Sequence, residues 1–236
     1  MQKSSHYQIP LSIGSSFTYR PEFFVEHAGV LAVFDQLALL APGTFYAAQV
    51  VGPTRSGKTH LGFRTTEYLK SAGFEAVLRT APDLRLIEQH SMEGGGSHQP
   101  LAVCIDDAHK LLLTEETVAP FVALYEQVRQ SSGSKGSGVI LLFTSKPLSS
   151  DNPHLQSRFA SLAALQITAP AREDQRDLLH AIAKQRGLKL KSRDQKFLER
   201  RLKTDIAELE QYTERLLTLS SSKDGPIRLE TLKDAI

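Results

Sequence analysis

The octet Gly52-Pro53-Thr54-Arg55-Ser56-Gly57-Lys58-Thr59 has the residue types and spacing of a phosphate-binding loop. Its glycines let backbone N–H groups wrap close to an anion, and a helix opening at Lys58 adds its own N-terminal N–H groups. In such a loop Lys58 pairs with the β- and γ-phosphates of a nucleotide, and Thr59 gives its hydroxyl to Mg²⁺. A second group, Asp106 and Asp107, closes the apolar run LAVCI. Two adjacent carboxylates at the end of a buried strand are costly unless a cation neutralises them. Mg-nucleotide at the carboxyl edge of a parallel sheet is such a cation. Asp106 then holds Mg²⁺ through water, and Asp107 orients or deprotonates the attacking water. The other reading makes the pair a helix N-cap and its solvated neighbour. Thr144 and Ser145, at the tip of VILLFTS, either touch the γ-phosphate or its attacking water, or cap the strand end. Arg158, within HLQSRFA, either reaches a neighbouring subunit's phosphate or is a surface residue.

These residues need a scaffold, and the hydrophobic pattern supplies one. Residues 44–51, 75–80, 101–107, 139–145 and 163–168 are short apolar runs bounded by turn residues, the pattern of buried strands. Residues 58–73 place Leu61, Thr65, Tyr68 and Leu69 on one helical face, with Gly73 as the stop. A short helix is expected from about Pro82, a surface loop over 93–100, a helix over 114–130 and a linker over 131–138. Strand–helix alternation of this kind predicts an α/β fold, a parallel sheet with helices on both faces. After Ala169-Pro170 the strands stop, and three helical stretches follow, at 173–186, 192–202 and 205–219. We therefore expect a flexible tail over 1–15, a nucleotide-binding α/β domain over 16–170 and a small helical domain over 171–236.

Length and composition limit the rest. The chain has 236 residues, enough to bury a core without disulfides or metals. Its 28 Lys+Arg against 26 Asp+Glu leave a net charge of +2, too little for a global field that grips DNA, although a local basic face is compatible with it. Cys104 is the single cysteine, which excludes an internal disulfide and a cysteine-based zinc site. No run approaches the ~20 apolar residues needed to cross a bilayer, and the first ten residues lack a signal-peptide core. The expected location is the cytoplasm, with no membrane partner.

With these residues in place, the chain resembles the AAA+ family of the replication initiator DnaA and its short paralogue Hda, from about Phe17 onward. GPTRSGKTHL resembles the family's Walker A, with His60 trailing the loop, and LAVCIDDAHK its Walker B. ILLFTSKP is similar to the sensor-1 strand, LQSRFA to the arginine-finger segment, and RRLKTDIAELEQ to the lid helix that carries sensor 2. FTYRPEFFVEHAG is similar to the segment lining the adenine pocket, which implicates Phe24 and Val25. The resemblance implies a P-loop AAA+ sheet with an all-α lid, binding ATP or ADP with Mg²⁺.

It also implies partners. Gln8, Ile9, Leu11 and Ile13, in QIPLSI, match the hexapeptide by which Hda-like chains dock on the DNA sliding clamp; an incidental tail is the alternative. Arg158 would serve in trans as an arginine finger on DnaA. The chain stops after the lid, where initiators continue into a helix-turn-helix domain, so sequence-specific DNA binding is not expected. Three departures from the family pattern bear on turnover. Ala207 stands at the sensor-2 arginine position unless Arg201 or Lys203 substitutes, Lys146 replaces an acidic sensor-1 residue, and the helix for single-stranded DNA is reduced or absent. The first two point to hydrolysis that is weak or partner-dependent. A regulator of replication initiation is the first expectation. The alternatives are a helicase-loader-type ATPase acting on single-stranded DNA as a homo-oligomer, and a non-hydrolysing interaction module.

Overall fold

The fold comes from a computed structural model that describes residues 24–80, 99–112, 115–130, 138–203, 205–221, 227 and 229–236. Five parallel strands, β1 (Tyr46–Val51), β2 (Glu75–Thr80), β3 (Leu101–Asp106), β4 (Val139–Thr144) and β5 (Ala163–Gln166), form one sheet in the order β2-β3-β4-β1-β5. All five were legible as apolar runs, and each ends within two residues of the expected position. Helices α1 (Ala28–Leu37), α2 (Lys58–Ser71), α3 (Glu115–Gln130) and α4 (Pro153–Ala160) cover the sheet.

Strand pleating sorts the core into two layers, because successive side chains point to opposite faces. On one face Ala102, Cys104, Leu141 and Phe143 meet Val33 and Leu37 of α1 and Leu61 and Leu69 of α2. On the other, Val103, Ile105, Ile140 and Leu142 meet Phe121 and Val128 of α3 and Leu155 and Phe159 of α4. β4 is buried along its whole length, as a central strand covered on both faces must be. Cys104 lies in this interior at 0% exposure; burial pushes its thiol up to about 12, against an opposing hydrogen bond from Thr66. Of the face expected on α2, Leu61, Thr65 and Leu69 are fully buried. Tyr68 is half-buried and donates its hydroxyl to the Ala38 carbonyl.

Beyond β5 a 3-10 turn (Arg172–Asp174) leads into α5 (Gln175–Gln185), α6 (Ser192–Glu199), α7 (Ile206–Ser221) and α8 (Leu229–Asp234), one helix more than expected. Leu178, Leu179, Leu198, Leu209, Tyr212 and Leu216 form their own buried cluster. Tyr212 donates to the Leu232 carbonyl at 3.2 Å, and Gln175 donates to the Leu202 carbonyl at 2.7 Å, which ties the helices together. Among the described residues no helix is long and apolar enough to cross a membrane. The short helix expected from Pro82, residues 131–137 of the linker expected over 131–138, and the hexapeptide Gln8, Ile9, Leu11 and Ile13 lie outside the described residues.

Candidate nucleotide-binding site

The sheet register brings the chemistry to one edge. Val51 pairs with Thr144 and Ile105 with Leu142, so the phosphate loop and Asp106 flank the tip of β4. The loop turns sharply as it leaves β1. The Gly52 N–H bonds the Thr144 carbonyl at 3.1 Å, and a Cβ at position 52 would lie 2.6 Å from Ser56 Oγ and 3.0 Å from Ile167 Cβ. Arg55 (φ 63°) and Gly57 (φ 88°) occupy the left-handed region, where glycine fits without strain and arginine does not. That geometry carries the chain straight into the first turn of α2.

Lys58 Nζ donates to the Gly52 carbonyl at 2.9 Å and the Pro53 carbonyl at 2.7 Å. An ammonium has three N–H donors, so one remains for an anion. Burial lowers the Lys58 pKa, against the pull of Asp106 and Asp107. Thr59 Oγ1 donates to Asp106 Oδ2 at 2.6 Å, and the Asp107 N–H donates to Asp106 Oδ1 at 2.9 Å. Two neighbouring oxygens of an octahedral Mg²⁺ shell lie about 3 Å apart when each is ~2.1 Å from the ion. The Thr59 hydroxyl would therefore suit a direct ligand position on Mg²⁺, with Asp106, hydrogen-bonded to it, holding the ion through water.

Asp107 sits in a left-handed conformation (φ 52°), and its carboxylate accepts Lys110 Nζ at 2.6 Å. Both Asp107 and Lys110 border a cavity of about 530 Å³ that opens at this edge. Of the two strand-tip hydroxyls, Ser145 borders the cavity. Thr144 is fully buried and donates to the Lys146 carbonyl at 2.8 Å, the strand-end cap.

The other end of the cavity is apolar and bordered by Phe24, Val25, Leu178, Ala181, Ile182 and Ile206. Phe24 stacks on His60 (5.7 Å between centroids, 6° between planes), and Arg64 lies over both Phe24 and Phe34 while pairing with Glu26. Burial pushes His60 down to about 4. His27, at 2% exposure, borders the same cavity, and neither ring nitrogen has a hydrogen-bond partner among the described residues. Burial lowers its pKa; the Ser56 backbone and Asp174 oppose that push. Sequence reasoning passed over His27 because a lone histidine before a helix carries no pattern.

The helices after β5 close the cavity with a negative group. Glu210 of α7 pairs with Arg55 of the phosphate loop at 3.0 Å. Ala207 does not border the cavity, and neither do Arg201, which stacks on Phe197 at 4.6 Å, or Lys203. Among the described residues these helices bring no cation to the phosphate end. Arg158 also lies away from the cavity. On α4 it pairs with Glu126 Oε1 of α3 at 2.7 Å, donates to the His154 carbonyl at 2.6 Å and sits over the Tyr125 ring, with 17% of its side chain exposed.

No protein-family model matches the sequence, and no curated protein matches it. Solved structures do. Domain III of the replication initiation protein DnaA from Thermotoga maritima superposes with a TM-score of 0.67 at 17% identity, covering 92% of this chain and 95% of that one. AMPPCP-bound DnaA from Aquifex aeolicus gives 0.55 at 18% identity over 83% of this chain, which spans 64% of that longer one. A mutant of RuvB from Thermotoga maritima gives 0.59 at 15% identity over 90% of this chain and 69% of that one. The chain has a P-loop AAA+ fold of the kind seen in DnaA and RuvB.

Proposed function

We propose that the chain is an adenine-nucleotide-binding regulator of replication initiation in the cytoplasm. In this reading residues 16–170 form the nucleotide domain and 171–236 its lid. Gln8, Ile9, Leu11 and Ile13 dock on the sliding clamp. Arg158 acts in trans on the nucleotide of DnaA and speeds its ATP hydrolysis.

The observation that carries the nucleotide reading is the junction of Thr59 and Asp106 at 2.6 Å beside Lys58, at the mouth of one cavity. Lys58 and the loop N–H groups bind phosphate, Thr59 and Asp106 hold Mg²⁺, and Phe24, Val25 and Ile182 enclose the base. Bound Mg²⁺ would offset charge on the phosphates. AMPPCP on the similar DnaA structure supports an adenine nucleotide. The position of Arg158, outside its own cavity, supports action on a neighbour's nucleotide.

A second reading, a non-hydrolysing module, draws support from the Asp107–Lys110 ion pair, which occupies the carboxylate assigned to water, and from Glu210 in place of a lid cation. One measurement separates them. ATP hydrolysis by DnaA is followed with and without this chain, and stimulation is expected. A rate that does not change removes the regulator reading.

A further inference from the structure

We propose that α6 and the residues just after it form a sequence-independent binding surface for the phosphate backbone of duplex DNA. Between positions 189 and 203 the chain carries seven Lys and Arg residues, all exposed, against two acidic residues. This local excess of five positive charges is larger than the net +2 of the whole chain. Charge gathered on one face in this way produces a local field that the total conceals.

The two acidic residues do not neutralise the face. Asp194 is buried; its carboxylate accepts the Lys191 N–H at 3.3 Å and lies 3.5 Å from Arg193. Glu199 accepts Arg176 Nε at 2.5 Å, and that bond, more than Lys196 or Arg200, holds its carboxyl below the usual range. Among the described residues no carboxylate lies within ion-pair distance of Lys196, Arg200 or Arg201. Arg193, Lys196, Phe197, Arg200 and Arg201 border one open groove of about 590 Å³. Arg193, Lys196 and Arg200 follow an i, i+3, i+7 stripe about 10 Å long, the reach of about three successive phosphates on one strand.

Two features select the occupant. A stable protein interface has an apolar centre, yet the exposed large hydrophobic residues among those described are Leu39, Leu217, Leu229 and Ile236, none of which borders this groove. Single-stranded nucleic acid is held by aromatic faces on which bases stack. Phe197 offers none, because it packs against the helical core on one side and carries Arg201 on the other. A cationic stripe with neither apolar centre nor free ring matches a duplex, whose bases are internal and whose phosphates face outward.

The test is fluorescence anisotropy of the full chain with a labelled 20-base-pair DNA of arbitrary sequence. About four phosphate contacts predict that affinity falls roughly 100-fold between 50 and 200 mM salt. Lys196→Glu with Arg200→Glu is expected to weaken binding at least tenfold at 50 mM salt while ADP affinity stays unchanged. Equal affinity of the double variant and the parent overturns the proposal. So does tighter binding of the matching single strand, or of poly-glutamate, than of the duplex. Neither result bears on the nucleotide cavity, whose residues are untouched.

Discussion

Arg158 and Glu126 form an ion pair at 2.7 Å between α4 and α3, and it holds the guanidinium against the chain's own surface. Desolvation pushes the Glu126 carboxyl up, but Arg158 and Arg129 outweigh it and keep the group below its ordinary range. An arginine that acts on a partner must leave such a carboxylate first. Glu126→Gln removes the competing charge and preserves shape, so stimulation of DnaA's ATPase is expected to rise several-fold. Arg158→Ala is expected to abolish it, a loss on the scale of the ~10³-fold or more that an arginine finger supplies. A solvent-screened pair of this kind adds little to stability, so both variants should melt near the parent. Unchanged stimulation in both would remove Arg158 from the mechanism.

Thr59→Ala separates metal from phosphate. Lys58 and the loop N–H groups survive the change, while the hydroxyl that would meet Mg²⁺ is lost. Calorimetry with ADP should show near-parental affinity in EDTA and a loss of tenfold or more with Mg²⁺ present. An equal loss in both buffers would mean that Thr59 merely fastens Asp106.

Glu210 gives the third prediction. A carboxylate paired with Arg55 at the phosphate loop repels each added phosphate charge. At an effective dielectric near 20, repulsion over ~10 Å is on the order of 1 kcal/mol. Glu210→Gln should therefore tighten ATP relative to ADP by roughly fivefold. A ratio of affinities that stays at the parental value would place the phosphates beyond the reach of Glu210.

Acid should destabilise the fold through two histidines. Burial lowers the pKa of both His27 and His60, so below their ordinary value of 6.5 the unfolded chain binds more protons. Stability then falls as pH drops from 6.5, and for His60 the loss levels off near pH 4. The His60 share reaches about 3 kcal/mol at most. Urea unfolding at pH 7.5, 6 and 5 should show the decline, and His60→Gln should flatten part of it. Parallel profiles for parent and variant would argue against a buried neutral imidazole.

Much of this site could be read before any fold was known, and the limits are physical. The phosphate loop was legible because its glycines answer backbone demands, a left-handed turn at Gly57 and the close approach at Gly52, that few other residues meet. Strands β3 and β4 were the most legible because burial on both faces leaves apolar side chains along almost their whole length. Helix α4 was missed although its start is marked: Asn152 accepts the His154 N–H at 2.9 Å, and Pro153 occupies the first turn. Helix α8 has six residues, too few to show a period. The choice between Thr144 and Ser145 depends on which way the strand tip points, and Glu210 depends on how α7 meets the sheet. Neither is a property of a local segment.

Cys104 has a practical consequence. Its thiol lies in the middle layer of the sheet, on a central strand, out of contact with solvent. A thiol reagent added to folded protein can react only with molecules whose sheet has come apart. The labelling rate is then a clock for global opening, free of interference from any second thiol. Any ligand that grips the phosphate loop should slow that clock in proportion to its occupancy. The chain carries its own stability assay, and it needs no engineered probe.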